Sequence, residues 1–331
     1  MAKVKKIIND PENIVDEVLD GLVAISQGLL ACDPGSRVVR RAEVDEGKVG
    51  LVIGGGSGHE PMYGAYIGPG LATASVSGNI FAAPAPQHVY EAIKAADTGA
   101  GVLLVYGNYA GDVMNFDMGA ELAEDEDIVS KTVLVRDDVA TPDIEGRRGI
   151  GGAFYVVKVA GAACAQGLSL EEAAAVTERA QFNTRTIGVA VKAGTLPETG
   201  ALTFELGDDE IEIGLGVHGE KGVERSGMMS ADELTEKMIE RITSDLPFES
   251  GDRVAVLMNN LGATTQMELL IVYRKVAELL EAKGITVART DIGAYFTSQE
   301  MAGFSITLMR LDDEITELLD APCKSVPFTQ G

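Results

Sequence analysis

At 331 residues the chain is long enough for one large or two ordinary domains. Its 27 basic and 51 acidic side chains leave a net charge of −24, which repels phosphate backbones and argues against nucleic-acid binding. With 46% apolar residues, 5% aromatic and no Trp, the core has to come from Val, Ile, Leu and Ala, and 39 glycines suit many tight strand-to-helix turns. Cys32, Cys164 and Cys323 lie far apart with no Cys-x-x-Cys spacing, so neither a zinc site nor a disulfide framework follows, and a reduced, cytoplasmic setting is expected. Lys3, Lys5 and Lys6 are followed by Asn9-Asp10-Pro11 rather than by an apolar stretch, so no signal peptide is read. No apolar run reaches the roughly 18 residues of a membrane span.

In chain order, Ile14 to Leu30 has helical spacing. Val49 to Ile53, Val102 to Tyr106 and Thr132 to Val135 read as buried strands. Phe154 to Gln166 reads as a helix, and Ser169-Leu-Glu-Glu172 is a capping box that starts another. This half is expected to be α/β on a largely parallel sheet. Further on, Ile187 to Val191, Ile211 to Leu215, Arg253 to Met258, Ile285 to Arg289 and Ser305 to Met309 look like strands. Ser230-Ala-Asp-Glu233 is a second capping box leading a helix to about Ile242, and Thr264 to Glu281 is a long helix pattern. The expectation is two α/β domains, each a sheet flanked by helices, divided as residues 1–184 and 185–331.

The strongest local signal is Gly54-Gly-Gly-Ser-Gly-His-Glu-Pro61, directly after a strand. Such a run either turns sharply or lets backbone approach a ligand. It is not a P-loop, because it ends in Gly58-His59-Glu60 rather than Gly-Lys-Ser/Thr. It matches a dinucleotide fingerprint only in part, which makes a nucleotide-binding dehydrogenase a poor reading. His59 at its end is a candidate base or hydrogen-bond partner for a hydroxyl. The chain has 3 His. His88, near a helix start, reads as surface or capping chemistry. His218, in Gly214-Leu-Gly-Val-His-Gly-Glu220, again follows a strand among glycines, where ligands of α/β sheets collect. Asp112 follows the strand ending at Tyr106 and is either a helix N-cap or a base for a hydroxyl. Asn259-Asn260 is a polar strand end that could face a partner or a domain interface.

Several stretches, taken together, resemble one family. They are Gly54 to Pro61, Asn108 to Phe116, Gly146-Arg-Arg-Gly149, Gly216 to Glu220, Asn259 to Ala263 and Gly303 to Thr307. In this order they resemble the substrate-binding subunit of dihydroxyacetone kinases over nearly the whole chain. The resemblance implies that His218 attacks a short ketose and holds it as a covalent hemiaminal, which selects ketoses over glycerol. It implies that Asp112 is the base on the hydroxyl to be phosphorylated and that His59 hydrogen-bonds the substrate. Gly56, Ser57, Gly58, His59, Gly107, Asp112 and His218 are the implied substrate contacts, with no metal among them. Covalent capture fixes the acceptor, so phosphoryl transfer becomes mainly a matter of positioning. The nucleotide, ADP or ATP with Mg, is expected on a helical partner subunit and no cofactor on this chain. The sequence stops at Gly331 without a helical nucleotide domain, so the chain is not expected to phosphorylate anything alone. A homodimer is implied.

The sequence departs from the family pattern at four places. Gly107 stands where a substrate-contacting Lys is usual, and its loss is expected to open space. Tyr63 replaces a His, Phe81-Ala-Ala-Pro84 replaces hydroxyl residues, and the segment from Asp245 to Gly251 is short. These departures keep dihydroxyacetone as the leading substrate and make a larger ketose, such as erythrulose or a branched ketose, the alternative. A ketose-sensing co-regulator of transcription is the other class; it needs capture but no base on the hydroxyl.

Overall fold

The structure is a computed structural model that describes residues 5–331; residues 1–4, with Lys3 of the basic start, lie outside the described residues. The first half of the chain forms α1 (Ile14–Ile25), β1 (Leu30–Cys32), β2 (Val38–Arg41), β3 (Gly50–Ser57), β4 (Ala74–Ile80), α2 (Pro86–Ala96) and β5 (Val102–Gly107). It continues through α3 (Ala110–Glu124), β6 (Ser130–Val135), α4 (Ala153–Gln166) and α5 (Leu170–Phe182). Then come β7 (Thr184–Lys192), β8 (Glu210–Ile213), β9 (Glu224–Gly227), α6 (Ala231–Asp245), β10 (Arg253–Asn260) and α7 (Gln266–Ala282). The chain closes with β11 (Thr286–Gly293), β12 (Ala302–Leu311), α8 (Asp313–Asp320), β13 (Cys323–Lys324) and β14 (Thr329–Gln330).

Two compact α/β units result, each with a six-stranded sheet and flanking helices. They are not consecutive halves cut at 184/185. The parallel-sheet unit takes Lys6–Val135, Tyr155–Gln181 and Glu314–Gly331, and the mixed-sheet unit takes Arg136–Phe154 and Phe182–Asp313. None of the crossings carries a Pro- or Ser-rich linker, so composition does not mark them.

In the parallel-sheet unit the strand order is β1-β2-β4-β3-β5-β6. β4, β3, β5 and β6 run parallel, and β2 and β1 add an antiparallel edge. Val102 to Tyr106 of β5 are wholly buried, as strands of a parallel sheet must be when both faces are covered. Val89, Ala92 and Ile93 of α2 and Phe116 of α3 close one core against Val52, Val76 and Leu104. Each such aliphatic side chain contributes roughly 1.5–3 kcal/mol on burial. The helical spacing from Ile14 stops at Ile25, because Gln27 and Gly28 turn left-handed at φ 54° and 86°.

The mixed-sheet unit orders its strands β11-β10-β12-β7-β8-β9, with β10 and β11 parallel and the other pairs antiparallel. Leu234, Met238 and Ile242 of α6 and Leu269, Val272 and Val276 of α7 pack on Ile187, Val254, Val256 and Ile306. Ser230 and Glu233 form the expected capping box at the head of α6, and Ser169 and Glu172 form the other at α5. A third, Thr265 with Glu268, starts α7. Arg147 and Arg185 are both buried against one carboxylate, Asp245 at the end of α6, and Arg147 grips it with two guanidinium nitrogens. Among the described residues no helix is long and apolar enough to cross a membrane. The three cysteines are free thiols, and burial pushes Cys164 up to about 12.

Candidate active site

The glycine run is not a loop after a strand. β3 extends through Ser57, and Gly54 lies opposite Val76 on one side and Tyr106 on the other. Glycine is needed there because a neighbouring backbone presses on the strand: a β-carbon at Gly56 would lie 2.8 Å from the Ala82 nitrogen. Gly58 alone in the Gly56–His59 stretch turns left-handed, at φ 99°, and its N–H donates to the Glu60 carboxylate at 3.0 Å. The Ser57 hydroxyl donates to the Gly78 carbonyl at 2.8 Å, which ties the strand end to β4.

His59 follows at once and is 2% exposed. Its ring stacks on Phe81, centroids 4.9 Å apart. Phe81 holds an uncommon left-handed backbone, φ 56°, beside that stack. β5 is the parallel neighbour of β3, so the residues after both strands emerge at one sheet edge. There α3 begins. Its N-cap is Tyr109, which makes no side-chain cap bond, and Asp112 is the third helical residue, buried. Asp112 is therefore not an N-cap; it sits in the first turn, where peptide dipoles favour negative charge. Asn115, one turn on, donates to the Pro84 carbonyl at 2.8 Å and links α3 to the Phe81–Pro84 segment. A cavity of about 420 Å³ is lined by Gly55, Gly56, Ser57 and Tyr63 with Leu19 and Leu22 of α1.

The parallel-sheet unit thus gathers Gly56, Ser57, Gly58, His59, Gly107 and Asp112 at the carboxyl edge of β3 and β5. His218 belongs to the mixed-sheet unit, in the turn after β8. That turn is fixed by backbone bonds from Gly216 N–H to the Glu220 carbonyl (2.8 Å) and from Gly219 N–H to the Gly216 carbonyl (3.0 Å). The buried Ser298 hydroxyl donates to the Val217 carbonyl. One carboxylate grips His218 twice: Glu220 Oε1 is 3.1 Å from Nδ1, and Oε2 accepts the His218 backbone N–H at 3.0 Å. Arg148 lies beside this carboxylate; it donates to Asp138 Oδ2 and to the Gly214 carbonyl, each at 2.8 Å. A β-carbon at Gly216 would sit 2.0 Å from Glu220 Oε2 and 2.6 Å from Arg148 Nη1, so only glycine fits. Burial pushes the Glu220 carboxyl up, but the hydrogen bond with His218, the positive charge of that ring when it is protonated, and Arg148 outweigh it and hold the group at about 2. Burial pushes Asp138 up to about 6 against the pull of Arg148.

Glu220 and Arg148 lie inside the Gly216–Glu220 and Gly146–Gly149 motifs, but their residue types alone point to no role there. The available signal was a carboxylate two residues after a histidine in a glycine turn. His88 is half-buried on α2 with its Nδ1 3.2 Å from Glu91 Oε2, in keeping with a surface role. Of the Asn259-Asn260 strand end, Asn259 is wholly buried, accepting from the Tyr295 and Phe296 N–H groups and donating to the Phe296 carbonyl and to Ser305, while half-buried Asn260 accepts from the Gly262 and Thr264 N–H groups. The space expected at Gly107 is filled. A β-carbon there would lie 3.1 Å from the Tyr109 ring and 3.3 Å from the Tyr63 hydroxyl, so two of the departures are one packing arrangement. The Asp245 segment instead serves Arg147 and Arg185. Among the described residues no cluster of His, Cys, Asp and Glu could hold a metal ion.

The family profile described as the Dak1 domain matches residues 20–327. The PTS-dependent dihydroxyacetone kinase 1, dihydroxyacetone-binding subunit DhaK, of Listeria innocua is 46% identical and covers 98% of this chain and 100% of its own length. The L-erythrulose 1-kinase of Mycolicibacterium smegmatis is 40% identical; the match covers 98% of this chain and 58% of that protein. The crystal structure of the native dihydroxyacetone kinase of C. freundii matches with a TM-score of 0.91 at 31% identity, over 99% of this chain and 61% of that one.

Proposed function

The chain belongs to the Dak1 domain family, and we propose that it is the ketose-binding subunit of a dihydroxyacetone-type kinase. A ring nitrogen of His218 adds to the carbonyl carbon of the ketose, and the π pair moves to the carbonyl oxygen, which gains a proton. The hemiaminal so formed tethers the acceptor, and glycerol, lacking a carbonyl, is passed over. Asp112 takes the proton of the hydroxyl that attacks phosphorus, and His59 hydrogen-bonds the same substrate. A helical partner subunit carries the nucleotide with Mg: the hydroxyl attacks the γ-phosphorus of ATP, and ADP is the leaving group. The end-to-end match to a binding subunit supports that division of labour. The subunit works in the cytoplasm and as a homodimer.

The observation that carries this reading is the placement of buried Asp112 and buried His59 at the same edge of the parallel sheet. A base on the hydroxyl is idle in a sensor and required in a kinase. Crowding of Gly107 by Tyr63 and Tyr109 favours the three-carbon ketose. Likeness to an erythrulose kinase favours the larger ketose as second reading. The test is Asp112→Asn, assayed with a helical nucleotide subunit charged with ATP and Mg. Ketose phosphate formation falls by about 100-fold or more, while the covalent adduct on His218 still forms. A variant that transfers phosphate normally removes Asp112 as the base. A wild-type chain that captures ketose but supports no transfer is a sensor.

A further inference from the structure

The two oxygens of Glu220 serve the same residue, one on the His218 ring and one on its backbone. This is more than a turn requires, because the backbone bonds of Gly216 and Gly219 already close it. The carboxylate is itself backed by a guanidinium. Arg148 comes from the Gly146–Gly149 run, about seventy residues earlier in the chain, and is anchored on buried Asp138 and on the Gly214 carbonyl. Gly216 keeps the room that lets Glu220 and Arg148 pack on one Cα. The arrangement runs Asp138, Arg148, Glu220, His218.

We propose that Glu220, backed by Arg148, is the positioning residue that fixes the ring tautomer and aim of His218. The inference deepens the capture reading above and rests on it. An ionised carboxylate can only accept, so the ring nitrogen facing it, Nδ1, carries the proton. Nε2 then holds the lone pair. In the capture step Nε2 adds to the ketose carbonyl carbon, and the carbonyl oxygen takes a proton from solvent. Nδ1 keeps its own proton. The product is a neutral hemiaminal hydroxyl on a cationic ring, and Glu220 neutralises that ring. Without Glu220 the ring reverts to a mixture of tautomers, and the cationic adduct loses its counter-charge.

The experiment is nitrogen-15 NMR of the histidine rings in the full chain, with ketose capture measured alongside by titration with dihydroxyacetone. The chain's 3 His make the spectrum assignable, and the His88 ring is the internal control. Wild type shows the proton of His218 on Nδ1. In Glu220→Ala the Nε2–H form grows, His88 is unchanged, and capture weakens by about tenfold or more, the scale of a charge-assisted hydrogen bond. Glu220→Asp restores part of both, and Arg148→Lys weakens capture less than Glu220→Ala does. Should Glu220→Ala not fold, Glu220→Gln, which keeps one acceptor and loses the charge, is read in the same way and falls between the two. An unchanged tautomer and unchanged capture in Glu220→Ala or Glu220→Gln overturn the proposal. A wild-type ring protonated on Nδ1 that captures no ketose leaves Glu220 as the tautomer-setting group and removes the kinase reading instead.

Discussion

Tyr63 shows how a single side chain sets what the neighbouring glycine means. Read alone, Gly107 is a missing side chain and a larger pocket. In the folded unit the Tyr63 hydroxyl lies 3.3 Å from where a β-carbon at Gly107 would be, and its ring also presses on Gly55. The ring therefore limits room at the carboxyl edge of β3 and β5. Tyr63→Ala is expected to raise the capture of erythrulose relative to dihydroxyacetone by about tenfold, the worth of one to two carbon atoms in an apolar wall. A competition titration checks it, and an unchanged ratio removes Tyr63 as a determinant of ketose size. His59, Asp112 and His218 stand out in the sequence because glycines flank them at strand ends. The Gly107–Tyr63 contact does not, because the two lie on different strand-end segments that only the sheet brings together.

At the scale of elements, the helices announced themselves best. Capping boxes at Ser169 and Ser230 write their own start signals, and both are made. β4 left no such trace. Ala74-Ser-Val-Ser-Gly-Asn-Ile80 is small and polar, yet it lies mostly buried between β2 and β3, where small side chains and backbone pairing suffice. The end of α6 shows a long-range choice of the same kind. Asp245 neutralises buried Arg147 and Arg185, which lie 98 and 60 residues away in sequence. Asp245→Ala strands two guanidiniums and is expected to cost about 3–5 kcal/mol. Urea unfolding measures this; a loss under about 1 kcal/mol means that water replaces the carboxylate.

For the whole molecule, charge and burial act in the same direction. The net charge of −24 repels itself at neutral pH, and lowering the pH relieves it. Asp138 adds to this. Its folded-state pKa, about 6, is raised from an ordinary 3.8, so its contribution is present at low pH and lost as pH rises through about 6. Glu220 does not oppose it: with a folded value near 2, its contribution persists above the ordinary 4.5 and disappears only as pH falls toward about 2. Denaturant unfolding is therefore expected to give a higher free energy near pH 5.5 than near pH 8. Equal or greater stability at the higher pH contradicts it. The α/β class and both sheets were legible from alternating strand and helix patterns. The interleaved course of the chain between the units was not, because crossings such as Val135 to Arg136 carry no compositional mark.

The central claim is covalent capture of a ketose on His218. The most direct measurement is the intact mass of wild type and His218→Ala under gentle native conditions after incubation with dihydroxyacetone. The account predicts a gain equal to one dihydroxyacetone on wild type and none on the variant. No gain on wild type with dihydroxyacetone or erythrulose, or an equal gain on His218→Ala, contradicts it.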